Sequence, residues 1–193
     1  MRRSVLQPTA LAALAISMLA GETCRADLFT FRAELTGASA IPANGSPGVG
    51  VAIAGIDSFN RFMQISVEFS NLTGPVTAAR VHAPPTPANV PIPPAATPSL
   101  AGFPLAVTAG SYTMTFALND PSTYDPAYIT AAGGLSNAES WLALAFGSER
   151  AFFNISTAAF PEGEIRGRFM LVPTPAATAP IALAGLAGAR RRR

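Results

Sequence analysis

The residues with most chemistry per position lie late in the chain, in the stretch "NISTAAFPEGEIRGR" from Asn154 to Arg168. Here Glu162, Glu164, Arg166 and Arg168 occupy every second position, in a protein that is only 12% charged. Two carboxylates so close could act as general acid and base. Carboxylates beside guanidiniums could instead fasten neighbouring strands. The second reading is favoured, because guanidiniums hold nearby carboxylates ionised whereas a general acid needs a raised pKa. On a strand, Glu164, Arg166 and Arg168 share one face, with Ile165, Gly167 and Phe169 on the other. A cross-strand pair on the charged face contributes about 0.2–1 kcal/mol, which is fastening rather than catalysis. The turn "FPEG" should fix the register of this strand against "AFFNIS".

The remaining candidates are sparse. His82 is the single histidine and Cys24 the single cysteine. A catalytic zinc needs about three protein ligands, and copper prefers several imidazoles or thiolates, so a metal centre is not expected. The acids of "NDPSTYD", Asn119 to Asp125, lack the spacing of a dedicated calcium loop and read as a solvated turn. Ser156 could be a nucleophile only with His82 as base and a carboxylate behind it, and the chain has no GxSxG motif. His82 reads as a strand-end histidine donating to a backbone carbonyl, and Asn154 as a side chain that bonds a turn backbone. No catalytic residue, cofactor or metal ligand is predicted, and the protein is not expected to be an enzyme.

The elements that position these residues are short strands. "LFTFRAEL" alternates Phe29, Phe31, Ala33 and Leu35 with polar positions, the period of a half-buried strand. "GVGVAIAGI" aligns Val49, Val51 and Ile53. "MQISVEF" aligns Met63, Ile65, Val67 and Phe69, and "SYTMTFAL" aligns Tyr112, Met114, Phe116 and Leu118. Two further strands are expected around 151–155 and 164–171. Turn-rich stretches such as "IPANGSPG", "NLTGP" and "LNDPSTYDP" separate them. The spacing predicts an all-β, antiparallel, immunoglobulin-like sandwich or barrel with one short helix. That helix is placed at about 137–146, with Ser136 and Glu139 as a capping box. The segment Ala83 to Pro104 holds eight prolines and cannot be an internal strand. It is read as a stiff exposed excursion, with a polyproline ligand for a partner as the alternative.

Charge and ends bound the function class. All thirteen basic residues are arginines, of which Arg2, Arg3, Arg25 and the run Arg190–Arg193 lie at the ends. Between Asp27 and Val172 six arginines face ten acids, a formal charge of −4, which argues against a nucleic-acid-binding surface. The start has the layout of an export signal: Arg2 and Arg3, an apolar run Ala10 to Ala20, then "CRA". Cleavage is expected after Ala26, or else after Ala20. The first cut would remove Cys24 and leave no disulfide. The apolar run is too short for a membrane span, which needs roughly 20 residues.

Three passages resemble the CHRD domain, the module named for chordin: "FRAELTGASAIPANGSPGVGVA", "LTGPVTAARVHAP" and "AFFNISTAAFPEGEIRGRF". The resemblance implies an immunoglobulin-like β-barrel with limited similarity to copper/zinc superoxide dismutases, and a superoxide-dismutase-like Greek key is one possible arrangement. It implies no general activity. Its motif positions in this chain are His82, Asn154, Thr157, Gly163, Glu164, Ile165, Arg166 and Gly167. Where the family usually carries a second and third histidine this chain has Arg80 and Ser156. The tail "VPTPAATAPIALAGLAGARRRR" is similar to a PEP-CTERM sorting signal of Gram-negative bacteria, with a Pro-rich spacer, a short apolar stretch and a terminal arginine run. That resemblance implies recognition by an exosortase-type protease after signal peptidase has acted, and transient insertion of the tail in the inner membrane. The expected organisation is a signal peptide at 1–26, a CHRD domain at 27–171 and a sorting tail at 172–193. The expected role is a secreted or cell-surface structural or adhesive module. Exopolysaccharide or surface proteins are the expected partners, and a binding module for a secreted protein or glycan is the alternative. A metal-dependent dismutase is a distant third.

Overall fold

The computed structural model describes residues 28–84 and 95–173. The expected export segment at 1–26, most of the expected sorting tail and residues 85–94 of the Pro-rich stretch lie outside the described residues. Eight strands form one antiparallel sheet: β1 (Leu28–Thr36), β2 (Val49–Asp57), β3 (Phe62–Ser70), β4 (Val76–His82), β5 (Gly110–Ala117), β6 (Phe152–Thr157), β7 (Ile165–Arg168) and β8 (Met170–Leu171). Their order is β4-β6-β7-β1-β2-β3-β5, and β8 also pairs with β1. The sheet curls into a half-barrel, so the all-β antiparallel expectation holds.

The core fills the concave side. Phe31, Ala33 and Leu35 of β1 and Met63, Ile65, Val67 and Phe69 of β3 are buried as their alternation predicts. On β2 the inward residues are Ala52, Ala54 and Ile56, whereas Val49 and Ile53 face solvent. The small alanines leave room for the aromatic side chains that close the barrel. Phe103 stacks on Phe69 with ring centroids 5.5 Å apart and also meets Tyr112 and Phe153. Phe146 packs edge-on against Phe31 at 5.1 Å and lies 4.9 Å from Phe169.

Two helices, not one, cross the open side: α1 (Pro126–Ala132) and α2 (Leu135–Gly147). Asp125 caps α1 by accepting from the Ala127 N–H, with Pro126 in the first turn. Gly133 ends α1 in the left-handed conformation, φ 78°. The expected capping box is absent. Gly134 precedes α2 without a side-chain cap, and Glu139 instead takes Arg61 of the β2–β3 turn in a two-pronged ion pair. The packing of α2 against the sheet supplies what the missing cap would have contributed.

The edge of β4 is covered by the second part of the Pro-rich stretch itself. That part is buried at Ala96, Thr97, Leu100 and Phe103 and so is not the exposed excursion expected, because its amides pair with β4 and its apolar side chains close the core. Ala95 bridges to His82, and the amides of Ala96, Thr97 and Leu100 donate to carbonyls of Val81 and Ala79. Val76 exchanges backbone hydrogen bonds with Ala106 and Val107. This cover leaves no exposed β4 ladder on which another chain could pair.

Candidate functional site

The charged motif sits on the β6–β7 hairpin, whose register runs from Phe152 opposite Arg168 to Ile155 opposite Ile165. The turn closes with Gly163 N–H donating to the Phe160 carbonyl and Glu164 N–H to that of Ile155. Gly163 has φ 140°, and a Cβ there would stand 2.2 Å from the Asn154 amide oxygen. The Asn154 Nδ2 in turn donates to the Glu162 carbonyl at 3.1 Å.

Glu164 does not join the arginines. Its side chain has no exposed surface. One carboxylate oxygen accepts from Ser46 Oγ at 2.5 Å and from the Thr73 N–H. The other accepts from Thr157 Oγ1 at 2.6 Å and from the Gly74 N–H at 3.3 Å. Burial alone would push its pKa up, but the bonds from Ser46, Thr157 and Thr73 outweigh burial and hold it below the ordinary value. Three loops therefore meet on one acid: the β1–β2 loop through Ser46, the β3–β4 turn through Thr73 and Gly74, and the hairpin itself. Asn44 adds to this junction by donating to the carbonyls of Gly163 and Glu164 and accepting from the Ser46 N–H. The expected fastening by Glu–Arg pairs is thus replaced by neutral donors, because the hairpin end turns into the barrel mouth instead of continuing along the sheet face. Ser46, Thr73 and Asn44 were not singled out from sequence, since isolated serines, threonines and asparagines in turn-rich stretches read as turn formers.

The arginines occupy the outward face. Arg166 lies flat on Phe152, with its guanidinium carbon 3.4 Å from the ring centroid. His82, opposite Phe152 across β4–β6, stacks parallel to the same ring at 4.5 Å and 7°. This layer buries Phe152 on what is otherwise a solvent face. Burial, then the neighbouring Arg168, pushes the Arg166 pKa down to about 10, so it remains a cation at neutral pH. Arg80 and Arg166 both stand opposite Asn154, one on each side of β6. The only ion pairs among the described residues are Arg32–Glu34 and Arg61–Glu139, so Arg80, Arg166 and Arg168 form none.

The other candidates are tied into the fold. Asp120 accepts from the Ser122 N–H, and Asp125 caps α1, so the acids of 119–125 serve local turns. Among the described residues no group of three or more His, Cys, Asp or Glu could hold a metal ion. Tyr124 and Tyr128, aromatics that a binding module could have displayed, are 2% exposed and donate to the carbonyls of Leu118 and Ala83. Burial pushes both phenols up, beyond reach of physiological titration. Ser156 lies on the outward face, four residues from Phe152 on β6, and its Oγ is 3.4 Å from Asn154 Nδ2. An open depression of about 530 Å³ runs along β2, β3 and β5 past Val51, Glu68 and Ser111, with Glu68 its only ionisable group.

No helix among the described residues is long and apolar enough to cross a membrane. No curated protein and no solved structure matches the chain. One family model does, the CHRD domain, over residues 31–169, which runs from the middle of β1 to the residue after β7. With more than half its length so matched, and the β6–β7 hairpin and its junction inside the matched region, the chain belongs to the CHRD domain family.

Proposed function

We propose that the protein is an exported, non-catalytic module of the cell surface or exopolysaccharide matrix, with a structural or adhesive role. The observation that carries this reading is the state of Glu164. The one acid brought to the centre of the family motif is sealed from solvent with four donors on it, so it has no oxygen left to take a proton from a substrate. His82 is buried under the same motif, stacked on Phe152. The export layout of the first 26 residues and the Pro-rich, arginine-ended tail supply the address. The intact mass of the native protein, recovered separately from envelope and medium, tests it. Loss of both ends is the expected result. A mass that retains Arg190–Arg193 at the surface would rule out exosortase handling and leave a plain tethered protein.

A second reading, a module that binds a glycan or a secreted protein, is favoured by the unpaired guanidiniums of the outward face.

A further inference from the structure

Three guanidiniums project from one sheet face without a counter-ion, in a domain whose overall charge is negative. Arg80 and Arg168 are exposed and Arg166 is half-buried. Arg80 and Arg166 flank Asn154 across two strand spacings, roughly 10 Å apart at the backbone. Arg168 follows Arg166 two residues along the same strand, roughly 7 Å away. The nearest carboxylate on β1, Glu34, is already paired with Arg32 at 3.4 Å. The Phe152 ring holds the Arg166 guanidinium in place, and no carboxylate takes up its donors. The face is therefore set out as separate cations, with Arg166 held by Phe152 between the exposed Arg80 and Arg168, and not as a converging cradle.

We infer that the outward face of β4, β6 and β7 binds an acidic polysaccharide, whose carboxylates or sulfates recur along the polymer at intervals that separate guanidiniums can meet in turn. A single small anion would need donors gathered on one point, and these are spread. A nucleic acid would want exposed aromatic rings on which bases stack, and Phe152 is covered by Arg166 and His82. A protein partner would want an apolar anchor, and the aromatic ring of this face, Phe152, is covered by Arg166 and His82. The inference deepens the matrix reading and rests on it for its biological setting.

The test is calorimetric titration of the full chain with polygalacturonate oligomers, with neutral dextran and poly-glutamate run beside it. Saturable binding of polygalacturonate that weakens as salt rises is expected, with neither comparison polymer bound comparably. The double variant Arg80→Gln/Arg168→Gln changes only exposed side chains, so an unaltered thermal midpoint should accompany a loss of about tenfold or more in affinity. Arg166→Lys, which keeps the charge but not the planar fork, should weaken binding as well. Equal affinity of wild type and double variant would assign the binding to the terminal arginine run and overturn the inference. So would equal binding of dextran, tighter or equal binding of poly-glutamate, or no binding at all. None of these arginines bears on processing, so a correctly delivered protein that fails to bind would overturn this inference and leave the proposed location standing.

Discussion

A fully buried carboxylate held by four neutral donors is stable only while every donor stays in place. Glu164→Gln puts an amide N–H₂ against a backbone N–H, of Thr73 or of Gly74, that can only donate, and should lower unfolding stability by about 3 kcal/mol in denaturant titrations at neutral pH. The carboxyl's pKa is lowered in the folded state. Its contribution is then complete above the ordinary carboxylate range and disappears as pH falls through the lowered value. The stability gap between wild type and Glu164→Gln should accordingly narrow in acid, and a gap that widened would contradict the assignment of an ionised Glu164. Gly163→Ala should lose about 2 kcal/mol, since it strains a φ of 140° and drives a Cβ into Asn154. The motif residues could be picked out from sequence, but their pairing could not. Strict alternation places Glu164 beside Arg166 and Arg168. Only the inward turn of the hairpin end, which depends on loops 90 to 118 residues upstream, separates them.

At the scale of elements, strands with clean alternation could be read directly, as in β1 and β3. β4 could be read only at its end, as the strand-end position of His82: it carries two adjacent alanines, Ala78 and Ala79, and its register shifts between Val76 and Ala78. β2 misled in a subtler way, because its larger aliphatics face out and its alanines face in. α1 has no counterpart in the sequence reading because, only seven residues long, it is too short to show a helical period. Its attachment can be tested. Tyr128 donates 2.7 Å to the Ala83 carbonyl at the end of β4, so Tyr128→Phe should cost about 1 kcal/mol and loosen the helices from the sheet. By contrast, Glu139→Gln removes a partly exposed ion pair and should leave the midpoint of thermal unfolding nearly unchanged, where Tyr128→Phe lowers it.

For the whole molecule, the two ends of the sheet are treated differently. β4 is shielded by residues 95–108, while β5 pairs only with β3. Hydrogen exchange should therefore be slowest in β1, β2 and β3, and fast at alternate amides along β5. The pairing of Thr36 with Arg166 has a further consequence. β1 leaves the ribosome, or any export pore, long before β7, and β2 can pair with it at once. Its other edge must wait for nearly the entire domain to follow. Until β7 arrives, the acid that joins three loops is missing as well, and Ser46, Thr73 and Gly74 have nothing to converge on. Closure is thus a terminal event, and a chain stopped short of Glu164 would stay an open meander with an unsatisfied strand edge, suited to passage in an unfolded form and to rapid proteolysis if translation is cut short.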